Sequence, residues 1–262
     1  MARLILLGAT GSLGRQVLEQ ALAAGHEVTA LVRDPSRLAL PQRARTRISV
    51  CTGDLSAMTI AEIGALIAGH DALVNCAGHV AQGQGFVNLV DRVLTGAESV
   101  RQARPVCWFL AGAALLDLDG SGRRGVELPK VRSTYWPHQA NFDRLMRSRV
   151  DWRLLCPGPM VDQPALGANR LRVSLDRLPV EVPWFARGLP GPLFLPVFAS
   201  LIPQMIVPYA DAAALMLANL DRGSFMAGRR VGLALPVGMR GRKPLRTPRA
   251  VREILSRGKQ LA

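Results

Sequence analysis

The amino-acid sequence predicts a doubly wound α/β fold, in which a mostly parallel sheet carries helices on both faces. Two observations lead to this prediction. Apolar segments of strand length alternate with amphipathic segments of helix length over residues 1–160, an order typical of parallel sheets. The first apolar run, Leu4–Leu7, leads directly into a glycine-rich turn and then into a helical pattern. A chain of 262 residues can bury a full core, and we expect a single domain over 1–262.

The glycine-rich turn contains three glycines spaced three residues apart, Gly8, Gly11 and Gly14. In a dinucleotide site the first glycine permits the tight turn, the second lets the backbone approach the pyrophosphate, and the third lets the helix pack close to its strand. The N-terminus of that helix then offers free N–H groups to the phosphates. A strand–helix turn without a ligand is the alternative. The strand–turn–helix context favours a bound dinucleotide.

The second strand is expected over Glu27–Arg33, and its end distinguishes NADP from NAD. An NAD site usually has a carboxylate here to bind the ribose 2′-hydroxyl, whereas an arginine suits a 2′-phosphate. The sequence has Arg33 and, after a short turn, Arg37, and two guanidinium groups can bind one phosphate. Asp34 could still take the carboxylate role, and Arg33 could simply end a strand. We expect NADP(H) rather than NAD(H).

The next strands end in residues that suit the remainder of a dinucleotide. A strand over 47–51 is followed by Asp54 and Leu55, which could bind the adenine amino group and pack on its ring. Asp54 could equally be a turn or helix-cap residue. A fourth strand runs from Ala72 into the small residues Ala77 and Gly78, which leave room for the nicotinamide ribose or serve close packing. The other predicted strands are 106–111, 149–156, 171–175 and 229–236, and the predicted helices are 60–67, 86–103, 211–220 and a basic helix over 247–257.

The net charge and the cysteine content limit the possible functions. The net charge is +14, but 30 of the 33 basic residues are arginine, which suggests a compositional preference as much as a binding surface. No helix-turn-helix, zinc or aromatic-interleaved motif accompanies this charge, so we expect no nucleic-acid partner. The four cysteines lack metal-ligand spacing and are expected to be free thiols, and no metal is expected. The N-terminal apolar run is too short for a secretory signal, so we expect a cytoplasmic protein.

A proline-rich apolar segment over 184–207 is the most unusual part of the chain. Its prolines would interrupt a membrane-spanning helix repeatedly, so spanning is disfavoured. A lid over the nicotinamide pocket fits better, and a dimer surface, a membrane-surface patch or extra core packing are the alternatives. The expected lid side chains are Trp184, Phe185, Phe194, Phe198 and Met205. We assign 1–160 to the nucleotide-binding core and 161–262 to the substrate side, the last strand and the basic helix.

These motifs resemble those of the atypical short-chain dehydrogenase/reductases, in particular the branch with NmrA-like proteins and biliverdin-IXβ (flavin) reductase. The resemblance rests on residues 8–14, 32–37, 53–55, Asp151–Trp152, Pro157–Pro159 and the late block 208–213. It implies a Rossmann fold that binds NADP(H). The expected cofactor-binding residues are Gly8, Thr10, Gly11, Ser12, Leu13, Gly14, Arg33, Arg37, Asp54, Leu55, Ala77, Gly78 and Pro157.

The catalytic positions depart from the family pattern. Typical members use a serine and a Tyr-x-x-x-Lys motif, but here Gln139 stands four residues after Tyr135, and the fifth strand ends in Ala111, Gly112 and Ala113. A tyrosine without a neighbouring lysine is a poor base at neutral pH. In the flavin-reductase branch a loop histidine lies near the substrate, and His138 falls at that place. The candidate catalytic residues are therefore Tyr135 and His138, with a first-turn helix position as the alternative for His138.

These observations favour an NADPH-dependent reductase that transfers hydride to an apolar or aromatic acceptor such as a flavin, quinone or enone. Positioning of the two reactants can supply much of such catalysis. The alternative is a redox sensor that binds the nucleotide without turning it over and signals through a protein partner. Loss of the lysine and serine favours the sensor, and the apolar segment favours the enzyme. A homodimer is compatible with either.

Overall fold

The computed structural model describes residues 1–38, 46–101 and 104–242. Eight strands form one sheet in the order β3-β2-β1-β4-β5-β6-β10-β8, and every neighbouring pair is parallel except β10 with β8. A two-stranded parallel pair, β7-β9, lies apart from it. The strands are β1 (Arg3–Leu7), β2 (Glu27–Val32), β3 (Ile48–Thr52), β4 (Ala72–Asn75), β5 (Val106–Leu110), β6 (Asp151–Pro157), β7 (Met160–Val161), β8 (Arg172–Leu175), β9 (Val207–Pro208) and β10 (Arg230–Ala234). The helices are α1 (Ser12–Ala23), α2 (Ile60–Ile67), α3 (Gln84–Ser99), α4 (Pro129–Met146), α5 (Gly191–Leu201) and α6 (Tyr209–Leu217).

Both faces of the sheet are covered, as the sequence predicts. Alternate residues of β1 enter two separate cores: Ile5 packs with the side chains of α2, α3 and α4, whereas Leu4 packs with those of α1 and α6. Strands that are apolar on both faces are typical of a parallel sheet between two helix layers. The doubly wound Rossmann fold is therefore confirmed.

Most predicted elements are present, and their bounds differ from the prediction by at most four residues. The third helix ends at Ser99 instead of continuing to 103, because Val100 turns into an extended conformation and its side chain is buried. The sixth helix begins at Tyr209 and ends at Leu217. Its end is fixed by Asn219, whose backbone oxygen accepts hydrogen bonds from the side chains of Trp108 and Arg153. The predicted basic helix over 247–257 lies outside the described residues.

The proline-rich segment divides into a buried part and an exposed part. It forms α5, which accommodates Pro196 within the helix. Phe194, Phe198 and Met205 pack in the core on the α4 side, while Trp184 is 82% exposed and Phe185 is 62% exposed. Three of the five expected lid side chains thus serve core packing. Over the described ranges, no helix is long and apolar enough to cross a bilayer.

Candidate functional site

A cleft with a volume of about 820 Å³ lies at the carboxyl edge of the sheet. The ends of β1 to β4 form its floor, and the first half of α3 forms one wall. This edge is where doubly wound folds bind ligands, at the point where the strand order reverses around β1 and β4. The lining residues are Gly8, Thr10, Gly11, Leu31, Val32, Arg33, Gly53, Asp54, Leu55, Ser56, Cys76, Ala77, Gly78, Gln82, Gly85, Asn88, Leu89, Asp91 and Arg92.

The close backbone contacts that the glycine-rich sequence predicts are present in the turn. Gly8 has a φ of +79°, and a β-carbon there would lie 2.6 Å from the carbonyl carbon of Cys76. A β-carbon on Gly14 would overlap the carbonyl oxygen of Gly8. Gly11 precedes α1, which has no side-chain cap and no acidic residue in its first turn within the described chain. The N-terminus of α1 is thus left open for an anion at the cleft.

The end of β2 presents one of the two predicted arginines to the cleft. Arg33 lines it, whereas Arg37 does not. The carboxylate of Asp34 accepts hydrogen bonds from the backbone N and the hydroxyl of Ser36, at 3.0 Å and 2.6 Å. These bonds, together with the charge of Arg37, lower the pKa of Asp34. Asp34 therefore caps the turn that carries Arg37, which is a structural use of the carboxylate.

Asp54 occupies a turn after β3, as one of the two interpretations expected. Its Oδ1 accepts hydrogen bonds from the backbone N and the hydroxyl of Ser56, at 2.9 Å and 2.7 Å. These hydrogen bonds lower the pKa of Asp54, and the nearby charge of Arg33 lowers it further. Leu55 follows with its side chain buried and also lines the cleft. The carboxylate of Asp54 therefore stabilises the turn in which it lies and also remains at the surface of the cleft.

The wall formed by α3 escaped the sequence prediction. Asn88, Asp91 and Arg92 of α3 line the cleft, as does Gln82, two residues before the helix. Arg92 reaches across it: its Nε donates to the carbonyl oxygen of Leu55 at 3.1 Å, and its Nη2 donates to that of Met58. The signal in the sequence was the polar pair Asn88 and Arg92, which are four residues apart and so share one side of the helix. Arg92 thereby fixes the turn that carries Asp54 and Leu55.

Five of the predicted cofactor-binding residues do not line the cleft. Leu13 and Gly14 are buried in α1, Ser12 is its exposed first residue, and Arg37 lies in the turn beyond β2. Pro157 ends β6, opposite Leu233 of β10. None of the expected lid side chains lines the cleft either. Cys76 does, but burial raises the pKa of its thiol to about 12, so it remains protonated and unreactive.

The two candidate catalytic side chains lie together near the ends of β4 and β5. The rings of Tyr135 and His138 stack with centroids 5.9 Å apart, and His138 also meets the ring of Phe86 edge-on at 5.6 Å. Phe86 in turn packs against Gly78, which lines the cleft. A β-carbon on Gly112 would lie 3.5 Å from the His138 ring. The imidazole therefore faces Gly112, in the stretch after β5 where typical family members have a serine.

His138 is a buried, neutral histidine. Only 7% of the residue is exposed, and its Nδ1 has no hydrogen-bond partner among the described atoms. Burial, with a smaller contribution from the charge of His79, lowers the pKa of His138 to about 4. At neutral pH the imidazole can therefore donate a neutral N–H hydrogen bond but carries no charge with which to attract an acidic group.

The helix that carries these rings is held against α3 by an ion-pair network. The guanidinium of Arg144 binds the carboxylates of Asp91, at 2.6 Å, and Glu98, at 2.7 Å. Gln139, at the position of the family lysine, donates from Nε2 to Asp143 at 2.6 Å. The residue at this position is therefore an uncharged amide that is bonded to a neighbouring carboxylate.

Comparison with known proteins agrees with this geometry. The profile of the NAD(P)H-binding family matches residues 8–179. A Bacillus subtilis protein of uncharacterised function, YwnB, is 24% identical over 170 residues, which cover 60% of this chain and 72% of that protein.

Solved structures of low sequence identity share the fold. A proposed NADH-flavin reductase from Streptococcus pneumoniae superimposes with a TM-score of 0.65 and 18% identity, covering 90% of this chain and 100% of that one. An anaerobillin reductase from Escherichia coli O157:H7 superimposes with a TM-score of 0.59 and 18% identity, covering 93% and 100%. The family profile spans most of the cleft and both candidate catalytic side chains. With its glycine-rich turn, doubly wound sheet and open helix N-terminus, the chain belongs to the NAD(P)H-binding family.

Proposed function

We propose that this protein is an NADP(H)-dependent oxidoreductase that transfers hydride to an apolar or aromatic acceptor of the flavin, quinone or enone type. The observation that carries the proposal is the arrangement along the sheet edge. A dinucleotide-sized cleft runs past the glycine-rich turn, and the stacked rings of Tyr135 and His138 lie beside the strand ends that bound it. Reductases among the structural neighbours support the same reaction class.

The preference for NADP(H) is supported by the chemistry at the end of β2. Arg33 lines the cleft, and among the described residues no carboxylate lies at ion-pair distance from its guanidinium. Asp34, the carboxylate that could bind a ribose hydroxyl in an NAD site, is already bonded to Ser36. A guanidinium beside a carboxylate that already accepts hydrogen bonds from Ser36 suits a 2′-phosphate better than a 2′-hydroxyl.

The chain's own residues would act by binding and positioning. The open N-terminus of α1 would bind the pyrophosphate, and Arg92 would keep Leu55 in place at the adenine end. A bound nicotinamide supplies the hydride. His138 would donate a neutral N–H hydrogen bond to a carbonyl or ring nitrogen of the acceptor, and the exposed ring of Tyr135 would offer a stacking surface. Orientation of two stacked rings can provide most of the rate of such a transfer.

A fluorescence titration tests the proposal. NADPH and NADH are titrated separately, and flavins and quinones are then added to the NADPH complex in the same cuvette. We expect tight NADPH binding followed by loss of the NADPH signal when an acceptor is present. Tight binding without oxidation by any acceptor would contradict the reductase and favour the sensor.

Removal of both arginines at the end of β2 should change the cofactor preference. We expect Arg33→Ala with Arg37→Ala to weaken NADPH binding by at least about tenfold and to leave NADH binding unchanged, since a lost charge-assisted phosphate contact is worth about 1.4 kcal/mol or more. The titration above measures both constants. Arg3→Ala with Arg47→Ala, at the starts of β1 and β3, is the matched control because it removes equal charge from the opposite edge. An unchanged NADPH preference in the first variant would reject the assignment.

Tyr135 is expected not to be the proton donor. Tyr135→Phe keeps the ring that stacks on His138 and removes only the hydroxyl, so we expect the reductase rate to stay within a few-fold of the wild type. Steady-state oxidation of NADPH measures this. A loss of several hundredfold, the size typical of a general acid or base, would restore the usual tyrosine mechanism.

A redox sensor is the second candidate, and one observation favours it. Gln139 stands at the position of the family lysine and is bonded to Asp143, and the stretch Ala111–Ala113 lacks the family serine. Such a protein would bind the nucleotide without turning it over. For either function we propose a cytoplasmic location, because all four cysteines are free thiols, as is usual in a reducing compartment.

A further inference from the structure

Large apolar side chains are exposed at both ends of α5, far beyond what core packing requires. Trp184 and Leu193, before and at the start of the helix, are 82% and 62% exposed, and Phe185 is 62% exposed. At the other end, Val237 is 83% exposed and Met239 is 38% exposed. We call these five side chains the apolar band. Several large exposed apolar side chains around one short helix indicate an interaction site.

The two ends of the band belong to one structural unit. Residues 202–205 continue directly from α5, and they are bonded to the chain that follows β10. The backbone N of Leu235 donates to the carbonyl oxygen of Gln204 at 2.8 Å, and that of Gly241 donates to Pro203 at 2.8 Å. Val237 and Met239 therefore lie near the C-terminal end of α5, while Phe185 and Trp184 precede its first residue by six and seven positions in the chain.

The outer side of α5 lacks the charges that a water-facing helix normally has. Residues 188–210 contain no charged side chain. Phe194, Phe198 and Leu201 face the core, and the exposed positions include Leu193 and Pro196. A surface helix usually has polar or charged residues opposite its apolar face. The outer side of α5 is therefore suited to an apolar environment.

Basic residues flank the band. Arg187 is exposed two residues after Phe185, and Arg240 and Arg242 are exposed beside Met239. From Arg240 to Lys259 the sequence has eight basic residues and one acidic residue, and the whole chain carries a net charge of +14. Tryptophan and phenylalanine with neighbouring arginines are the combination found where proteins lie in the interface of an anionic membrane.

We propose that the apolar band binds the surface of an anionic phospholipid bilayer. Trp184, Phe185 and Leu193 would enter the boundary between headgroups and acyl chains, while Arg187 and Arg240 would contact the phosphates. Charge selects this occupant over a second copy of the chain, because a symmetric dimer would bring the same arginines of two strongly basic molecules together. The binding is peripheral: α5 has 11 residues, about 16 Å of helix against the roughly 30 Å of a bilayer core.

Co-sedimentation of the full chain with vesicles tests the proposal. We expect binding to vesicles of equal parts phosphatidylcholine and phosphatidylglycerol to be at least about tenfold stronger than binding to phosphatidylcholine alone. The variant with Trp184→Ser, Phe185→Ser and Leu193→Ser should bind the anionic vesicles at least about tenfold more weakly. Phe225→Ser is the matched control: Phe225 is 68% exposed but precedes β10, at the opposite edge of the sheet. It should bind like the wild type. Circular dichroism verifies that each variant is folded.

A second measurement locates the contact. Brominated acyl chains quench tryptophan within the membrane interface, and the chain has four tryptophans. We expect quenching in the wild type, and its loss in Trp184→Phe, which keeps an aromatic ring and so retains vesicle binding. Equal binding of the triple serine variant and the wild type would overturn the proposal. So would the absence of binding to the anionic vesicles, and a dimer that sedimentation velocity detects and the triple variant dissociates would then identify a second copy of the chain as the occupant.

Discussion

Replacement of Gly14 by alanine should lower the thermal unfolding midpoint by roughly 6–12 °C. The β-carbon of alanine would overlap the carbonyl oxygen of Gly8 and approach the Cα of Ala9, both of which are backbone atoms that cannot rotate away. Overpacking of this kind costs about 3 kcal/mol, and a chain of this size loses about 2–4 °C per kcal/mol. Calorimetry or thermal melting followed by circular dichroism measures the change.

Gly11→Ala is the informative partner of this variant. A β-carbon on Gly11 would lie 3.4 Å from the carbonyl oxygen of Gly8, an ordinary contact, and its φ of −78° suits alanine. We therefore expect an unfolding midpoint close to the wild type, but at least tenfold weaker NADPH binding, because the added methyl group would stand where the pyrophosphate approaches the backbone. Gly11→Ala with wild-type affinity would show that the phosphates bind elsewhere.

The stability of the protein should fall steeply as the pH drops from 6.5 to about 4, and His138 should account for about 3 kcal/mol of this loss. Above pH 6.5 the imidazole is neutral in both the folded and the unfolded chain. Below it the unfolded chain takes up a proton, while the buried ring stays neutral until the pH approaches 4. Proton uptake therefore favours unfolding throughout this interval.

Urea unfolding at a series of pH values measures this contribution. His138→Gln cannot titrate, so the free energy of unfolding should decline less with acid than in the wild type, by about 3 kcal/mol over the interval. Replacement of a buried side chain also changes the absolute free energy of unfolding. The comparison is therefore made between the pH dependences of the two proteins, which isolates the contribution of the histidine. Carboxylates that also titrate are common to both proteins and cancel. His79→Gln, at an exposed position, should keep most of the wild-type dependence. Equal pH dependence of His138→Gln and the wild type would contradict a buried neutral histidine.

The nucleotide half of the protein was largely determined by local sequence. The turn at Gly8, the packing of Gly14 against it and the order of strand, turn and helix depend mainly on residues that are close together in the chain, so the sequence predicts them well. The same holds for Arg33 at the end of β2, since alternation of strands and helices brings all the strand ends to one edge of the sheet.

Tertiary contacts decided the rest. Arg92 reaches the carbonyl oxygen of Leu55, 37 residues away in the chain, and nothing in its local sequence predicts that partner. Tyr135 and His138 are neighbours on one helix, but only the packing of α4 against the ends of β4 and β5 places the imidazole beside Gly112 and removes it from water. The proline-rich segment is mostly apolar. The way α5 packs on the core determined which of its side chains are buried and which are left exposed. Hydrophobic burial is non-directional, so composition identifies the side chains that avoid water, whereas only the assembled fold determines the surface each one meets.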